Sequence, residues 1–220
     1  MVSGQQYTNN RIENIFNNNP ILECNDTCSC QPALCSNRVV QRGPSPHLTV
    51  GEVKGKGWAV FTDRDLHQGE FVCEYAGEVI GEEEARARWR RQLESNTGNY
   101  IMVLREFSGP VLVCKTFVDP TGRRDKWRLP CDCFVSVIGN IGRYLNHSCE
   151  PNLRMIPVRS DCLVPHLALF TSRPVEAGQE LTYLYGDSSS DGVGAPTLRT
   201  ACLCNSQSCK KYLPFDGEFI

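Results

Sequence analysis

Cysteine is the residue that most constrains how this chain can fold. The 220-residue sequence holds 13 cysteines, an odd number, and most of them stand in two short clusters near its ends. The first 20 residues contain one arginine and no apolar stretch of the kind that directs secretion. Because clustered thiols in a reducing compartment more often bind metal than form disulfides, the sequence predicts thiolate metal sites. A secreted, disulfide-bonded protein is the disfavoured alternative.

The cluster near the C-terminus, "CLCNSQSC", has the spacing of a zinc site that lacks one ligand. Structural zinc takes four ligands, and this segment supplies Cys202, Cys204 and Cys209. We expect the fourth ligand to come from the body of the protein. Cys149 is the favoured donor because it lies in the polar segment "GRYLNHSCEPN" rather than in an apolar strand. Metal binding would then fold a tail that is too small to fold by itself.

The cluster near the N-terminus, "CNDTCSCQPALC", is also too short to bury a core. We expect its four thiols to be metal ligands, namely Cys24, Cys28, Cys30 and Cys35. Its C-x-C pair fits one tetrahedral site poorly and suggests shared thiolates, which would need more cysteines than the segment has. Three other cysteines lie in strand-like stretches and are expected to be small buried apolar side chains, namely Cys73, Cys114 and Cys162.

Between the two clusters the sequence has mainly strand patterns. From about residue 38, short apolar or β-branched runs alternate with glycine and charged residues. A helix is predicted at residues 81–95, where acidic residues lead and arginines trail, as the helix dipole favours. The side chains of Ala85, Trp89 and Leu93 would share one face of this helix.

The remaining stretches set the domain organisation. Residues 1–23 are rich in asparagine and are expected to be poorly ordered, and residues 188–199 have the composition of a flexible linker. Many short strands with one clear helix predict an α+β fold that is rich in β-structure, between two thiol-rich zinc caps. The 40% hydrophobic content is sufficient for an ordinary core.

The overall charge and hydropathy disfavour two classes of partner. A net charge of −2 lacks the basic excess on which phosphate binding depends, so no strong direct nucleic-acid footprint is expected. The sequence contains no run of 18 apolar residues, so no membrane partner is expected either.

Four motifs occur in a fixed order, "KGKGWAVFT", "GEFVCEYAGEVI", "RYLNHSCEPN" and "ELTYLYG", and the cysteine-rich tail follows them. In these motifs the chain resembles the SET-domain protein lysine methyltransferases. The resemblance implies several small curved sheets and a pseudoknot, in which the "NHSC" strand threads a loop near "ELTYLYG". It assigns residues 1–37 to a poorly ordered start with a truncated pre-SET segment, residues 38–187 to the SET domain, and residues 200–220 to a post-SET zinc tail.

The resemblance also implies S-adenosylmethionine as the methyl donor, in addition to zinc. Within "NHSC", Asn146 and His147 are expected to face this donor while Cys149 faces away from it. Phe215, in the tail, is expected to cover the adenine. The residues that match the family's donor-binding positions are Lys56, Gly57, Trp58, Tyr100, Arg143, Asn146 and His147.

A lysine side chain is the implied methyl acceptor. Transfer needs a neutral amine aligned with the donor in a dry channel, and tyrosines suit such a channel because their rings and hydroxyls both contact the amine. By motif match Tyr185 is the catalytic tyrosine and Tyr75 lines the channel. Tyr183 stands where the family controls the number of methyl groups, and it favours mono- or dimethylation. Leu184 replaces a common Asp, which leaves the local packing open.

The implied partner is the histone H3 tail or the nucleosome, on chromosomes in the nucleus. Two details of the resemblance point to different lysines of H3. The most similar members of the family indicate a lysine whose methylation marks transcribed chromatin, whereas the type of pre-SET segment indicates one that marks silent chromatin. The first is favoured. Two departures from the family motivate an alternative, namely the truncated pre-SET segment and an atypical insert at residues 121–137 that contains Cys131 and Cys133. In that alternative the chain is a catalytically weak, zinc-bearing chromatin-binding module.

Overall fold

A computed structural model describes residues 6–17, 20–95, 98–121, 140–186 and 200–214. These residues form two compact units. The first unit contains the described residues up to Glu74 and from Tyr144 onward, and the second lies within Tyr75–Arg143. Several predictions fall outside the described residues and are not addressed by the structure, namely those for the linker at 188–199, for Phe215 and for nearly all of the insert at 121–137.

The described residues form eleven strands and one α-helix, which agrees with the predicted α+β fold rich in β-structure. None of their helices combines the length and the apolarity that crossing a bilayer requires. The helix α1 is Glu82–Glu94. The strands are β1 Ile21–Leu22, β2 Leu48–Val53, β3 Gly57–Thr62, β4 Phe71–Glu74, β5 Glu78–Ile80, β6 Met102–Ser108, β7 Val111–Asp119, β8 Asn146–His147, β9 Leu153–Arg159, β10 His166–Thr171 and β11 Glu180–Tyr183.

The first unit contains two four-stranded sheets. One has the order β1-β9-β10-β4, and the other has the order β2-β3-β11-β8. Most pairs are antiparallel, but β11 pairs with β8 in parallel, so that Thr182 lies beside Asn146 and Tyr183 lies beside His147. The motifs "NHSC" and "ELTYLYG" are therefore neighbours in one sheet, as the sequence predicts.

Of the three cysteines that were expected to be buried, one is buried. Cys73, on β4, is fully enclosed, and burial raises the pKa of its thiol to about 12. Cys114 is exposed, because the first four residues of β7 extend into solvent. Cys162 is partly buried in the loop between β9 and β10, where its Sγ contacts the backbone oxygen of Val164 at 3.5 Å. The prediction was therefore wrong for the last two.

The N-terminal segment is packed within the first unit, so the expectation of poor order was wrong for its described residues. Its strand β1 pairs in parallel with β9. Four large apolar side chains, which stand between the asparagines in the sequence, join a buried cluster that also contains Phe71 and Phe170. These four are Tyr7, Ile12, Ile15 and Ile21.

The carboxylate of Glu23 fixes this segment in place. Although Glu23 is buried, its Oε1 accepts hydrogen bonds from the Tyr7 hydroxyl at 2.7 Å and from the backbone N–H groups of Val39 and Val40 at 2.8 and 2.7 Å. Its Oε2 accepts from the Gln41 side chain at 2.9 Å. A buried carboxylate is tolerated when it is satisfied in this way.

The second unit contains a three-stranded sheet in the order β5-β7-β6, together with α1. Ala85 is fully buried in a cluster with Ile101 and Phe117, and Trp89 packs against this cluster, as the helical spacing predicts. Leu93, which lies one turn beyond Trp89, is 51% exposed.

We predict that replacing Glu23 destabilises the first unit. The change Glu23→Ala leaves the backbone donors of Val39 and Val40 buried without an acceptor, which costs about 1–3 kcal/mol for each such group. Urea denaturation of the variant should show a free energy of unfolding that is lower by at least about 2 kcal/mol. Glu13→Ala, at an exposed position of the same segment, is the control and should have the stability of the parent. Equal stability of the two variants would contradict the prediction.

Candidate functional site

The site is built where β8 and β11 meet. The backbone N–H of Ser148 donates to the oxygen of Tyr183 at 3.1 Å and continues the pairing beyond β8. Beyond this point the side chain of Asn152, rather than a backbone, bonds the backbone groups of β11. Its Oδ1 accepts from the N–H of Thr182 at 2.8 Å, and its Nδ2 donates to the oxygen of Glu180 at 2.9 Å. Two short segments that are distant in the chain are thereby held in register.

Two tyrosines stand at the C-terminal end of β11. The ring centroids of Tyr183 and Tyr185 are 4.9 Å apart, and the rings are inclined at 49°. Tyr183 is buried, and the hydroxyl of Tyr185 donates to the backbone oxygen of Leu145 at 2.8 Å. Because its hydrogen is committed to Leu145, the Tyr185 oxygen presents lone pairs, which can accept a hydrogen bond from an amine.

A carboxylate that the sequence analysis missed joins two of the predicted donor-binding segments. Glu180 accepts from Lys56 Nζ at 2.7 Å with one oxygen and from Asn146 Nδ2 at 2.9 Å with the other. Asn146 Nδ2 also lies 3.2 Å from the backbone oxygen of Trp58. The sequence held one indication of this contact, the opposite charges of Lys56 and Glu180, but sequence spacing does not show that two residues so far apart meet.

The glycine of the predicted donor-binding loop has a conformational role. Gly57 ends the turn between β2 and β3 with a φ of +81°, which side-chain-bearing residues rarely adopt. A Cβ built there would meet no atom within 4 Å, so glycine is required by the backbone and not by lack of space. Trp58, the next residue, is 58% exposed.

The second unit holds three further residues that the sequence analysis singled out, and they contact one another. The hydroxyl of Tyr75, which is buried, donates to the backbone oxygen of Tyr100 at 2.5 Å. The guanidinium carbon of Arg143 lies 5.9 Å from the centroid of the Tyr100 ring, within the range of a cation–π contact.

Four cysteines converge as the spacing predicts. Their Sγ atoms all lie within 4.8 Å of one another, and those of Cys149 and Cys202 are 3.9 Å apart. Sulfurs around a tetrahedral zinc ion are separated by about 3.8 Å, since each Zn–S bond is about 2.3 Å long. Backbone N–H groups also donate to these sulfurs, as thiolates favour. The set Cys149, Cys202, Cys204 and Cys209 therefore fits zinc.

The side chain of His147 faces the four-cysteine site and not outward. Its Nε2 lies 3.4 Å from Cys149 Sγ, and its Nδ1 accepts from the backbone N–H of Tyr185 at 3.3 Å. Burial, with a smaller effect of Lys210, lowers the pKa of His147 to about 4, so the ring is neutral. The imidazole of His147 therefore points at Cys149, and the expectation that Asn146 and His147 face the donor stays a prediction.

The N-terminal cluster brings together three of its four cysteines. The Sγ atoms of Cys24, Cys30 and Cys35 lie within 4.8 Å of one another, and Arg38 lies beside Cys30. Cys28 does not join them, because its Sγ is turned to the Oδ1 of Asn25 at 3.6 Å in a turn that the same oxygen stabilises. The three thiols fit a single zinc ion with one position left for another ligand, whereas the prediction was four ligands.

We predict that Cys149 is required for zinc binding by the tail. The change Cys149→Ser removes one of four thiolate ligands, so zinc affinity at this site should fall by at least about 100-fold, more than the loss of an outer-shell contact causes. Zinc content after dialysis against a competing chelator measures this. The control is Cys114→Ser, at an exposed cysteine outside both clusters, which should retain the zinc content of the parent. Unchanged zinc in the Cys149→Ser protein would show that the fourth ligand is another group.

Comparison with known proteins adds independent information. A family model described as "SET domain" matches residues 57–186. The histone-lysine N-methyltransferase SETMAR of mouse is 44% identical over 209 residues, which cover 90% of this chain and 62% of that protein. This chain thus spans less than two thirds of that relative.

Solved structures give the same result. The crystal structure of the methyltransferase domain of human SETMAR is 41% identical and superposes with a TM-score of 0.78, covering 97% of this chain and 74% of that chain. A structure of KRYPTONITE in complex with mCHH DNA, H3(1-15) peptide and SAH is 30% identical, with a TM-score of 0.62 and coverage of 88% and 34%.

Proposed function

Because the chain belongs to the SET-domain family, whose matched relatives are histone-lysine N-methyltransferases, we propose that it transfers a methyl group from S-adenosylmethionine to a lysine of histone H3. The observation that carries the proposal is the tyrosine pair on β11. The ring of Tyr183 lies 4.9 Å from that of Tyr185, whose hydroxyl is oriented by the backbone oxygen of Leu145. Tyr185 is the proposed catalytic residue.

The proposed acceptor is a lysine that must be neutral when it reacts. An apolar, aromatic surround disfavours the charged ammonium and lowers its pKa. The Tyr185 oxygen can then accept a hydrogen bond from the amine and aim the nitrogen lone pair at the methyl group. Most of the rate enhancement would come from this alignment, which can contribute roughly 7–11 kcal/mol in favourable systems.

The donor site is proposed around the Glu180 carboxylate. S-adenosylmethionine supplies an electrophilic methyl group on a sulfonium ion, and the SAH in the KRYPTONITE complex is what remains after such a transfer. Glu180 holds Lys56 and Asn146 together, so the loop before β3 and the strand β8 present their backbone groups in a fixed geometry. The motif match assigns the same donor-binding role to Gly57, Trp58, Tyr100, Arg143 and His147, and it assigns the channel to Tyr75.

The proposed protein substrate is the tail of histone H3, as a free tail or in the nucleosome. An extended peptide can add a strand to an exposed sheet edge and insert a lysine into the channel. The H3(1-15) peptide in the KRYPTONITE complex supports this class of substrate. The implied location is the nucleus, on chromosomes, and an H3 lysine that marks transcribed chromatin is favoured over one that marks silent chromatin.

The alternative is a chromatin-binding module with little catalysis. Its motivation is the truncated pre-SET segment, in which three of four cysteines converge, together with the atypical insert at residues 121–137. The two functions differ in one measurable property. A module binds S-adenosylmethionine and histone peptides without methyl transfer, whereas the enzyme transfers a methyl group at a rate that depends on Tyr185.

We predict that Tyr185→Phe lowers methyl transfer by at least about 100-fold, which is typical for the loss of one catalytic hydrogen-bonding group. The measurement is transfer of a labelled methyl group from S-adenosylmethionine to an array of H3 peptides, which also identifies the lysine. The matched control is Tyr212→Phe, at an exposed tyrosine of the tail, which should retain activity. A purified, zinc-loaded protein that binds the donor but shows no Tyr185-dependent transfer to any H3 peptide would support the module instead.

We predict that Tyr183→Phe raises the number of methyl groups added. The Tyr183 hydroxyl lies in a buried position, where it can hold a water molecule and restrict the space for a methylated amine. Mass spectrometry of the peptide product should show mainly mono- and dimethyl-lysine for the parent and a shift toward trimethyl-lysine for the variant. If the parent already forms trimethyl-lysine as its main product, the proposed product preference is wrong.

A further inference from the structure

The imidazole of His147 is held at both nitrogens by groups that belong to two different parts of the site. On one side Nε2 lies 3.4 Å from the sulfur of Cys149, which is one of the four converging thiols. On the other side Nδ1 lies 3.3 Å from the backbone nitrogen of Tyr185. The ring also contacts the Tyr185 ring edge to face, with centroids 5.4 Å apart. Only 5% of the surface of His147 is exposed, so water does not compete for these contacts.

These contacts determine which nitrogen carries the hydrogen. The Tyr185 backbone nitrogen is a donor, so Nδ1 must be the acceptor and cannot carry a proton. A neutral ring then carries its hydrogen on Nε2, which points at the Cys149 sulfur. Sulfur is a good acceptor when it is a thiolate, and a thiolate is the form that binds zinc. Tautomer, thiolate and the backbone contact to Tyr185 are therefore mutually dependent.

We propose that His147 is a positioning residue that couples the four-cysteine site to Tyr185. When the sulfur of Cys149 is held as a zinc thiolate, it fixes the hydrogen on Nε2 and the plane of the ring. The ring in turn offers Nδ1 to the N–H of Tyr185 and sets the backbone position from which the Tyr185 side chain projects. The metal site of the tail thereby contributes to the geometry of the catalytic tyrosine, in addition to folding the tail. This inference rests on the proposed function for its catalytic consequence only.

The contact to the sulfur has a known type of energetic effect. Groups that hydrogen-bond to metal ligands orient those ligands, and their removal typically lowers metal affinity by about 10–100-fold. The contact to Tyr185 acts on a different quantity. Displacement of a reacting group by about 1 Å can lower a rate by roughly 100-fold without any loss of substrate binding. The two contacts can therefore be separated by experiment.

Two variants remove one contact each. In His147→Asn the amide oxygen occupies the place of Nδ1 and can accept from Tyr185, but no donor reaches Cys149. In His147→Gln the amide nitrogen occupies the place of Nε2 and can donate to Cys149, but the acceptor for Tyr185 is lost. His147→Phe removes both contacts while keeping the approximate shape of the ring. Zinc affinity is measured by competition with a chromophoric chelator, and kcat and KM are measured with an H3 peptide at saturating zinc.

We expect His147→Asn to lower zinc affinity by about 10–100-fold and, once zinc is saturating, to lower kcat less than His147→Gln does. We expect His147→Gln to keep zinc affinity and to lower kcat by roughly 10-fold or more, with little change in KM. His147→Phe should show both losses. If the Asn and Gln variants change zinc affinity and kcat alike, His147 only fills space and the proposal is overturned.

A measurement on the unaltered protein is independent of any variant's folding. In the zinc-loaded protein, two-bond ¹H–¹⁵N correlation spectra of the His147 ring should show the hydrogen on Nε2. A hydrogen on Nδ1, or a ring that exchanges between tautomers while zinc is bound, overturns the proposal. If the protein transfers no methyl group, the proposed function fails, and the tautomer, together with the zinc affinities of the Asn and Gln variants, still decides whether His147 couples the two groups.

Discussion

The parallel pairing of β8 with β11 is the contact on which the candidate site depends. It is formed by two residues on each strand, yet it brings Asn146 and His147 alongside Thr182 and Tyr183. So short a pairing is not stable by itself, and the side chain of Asn152 compensates by bonding two backbone groups of β11. Just past this pairing β8 continues to Cys149 and β11 continues to Tyr185, so the proposed catalytic tyrosine and one of the four converging thiols take their positions from it.

The amino-acid sequence predicted most where a stoichiometric or geometric rule applied. Three thiols in the tail cannot complete a tetrahedral zinc site, so a fourth ligand was required, and the polar surroundings of Cys149 in the sequence singled it out as the thiol that converges with them. The four-ligand rule could not show that Cys28 is excluded from the N-terminal cluster, because four neighbouring cysteines are already enough for one site and nothing in their spacing marks one of them as absent. Its exclusion depends on the turn at Asn25, which is a local backbone choice that cysteine spacing does not encode.

Interactions between distant positions were the part that sequence patterns could not predict. Residues 1–23 were expected to be poorly ordered because they are rich in asparagine, but a few apolar side chains and one buried carboxylate, Glu23, are enough to fix those of them that the structure describes. Likewise, Glu180 stands 124 residues from Lys56, and each is an unremarkable charge in its own segment. Leu93 has the spacing that places it on the same helix face as Ala85 and Trp89, but it is 51% exposed. Periodicity shows which side chains share a face of one helix, whereas their burial depends on how far the neighbouring element extends along that face.

The division of the chain into units has a consequence for synthesis on the ribosome. The second unit is one continuous stretch within Tyr75–Arg143, and its three strands and helix contain mostly local contacts. The first unit is made of two stretches that flank the second unit in sequence. Its strand β11 and the tail cysteines are therefore translated long after β1 and β4. Long-range contacts form slowly, since their loop-closure entropy must first be overcome. The inserted unit should therefore acquire its structure while the nascent chain is still growing. The strands that precede it wait, with Cys73 and their other apolar side chains uncovered, until β11 has also been synthesised.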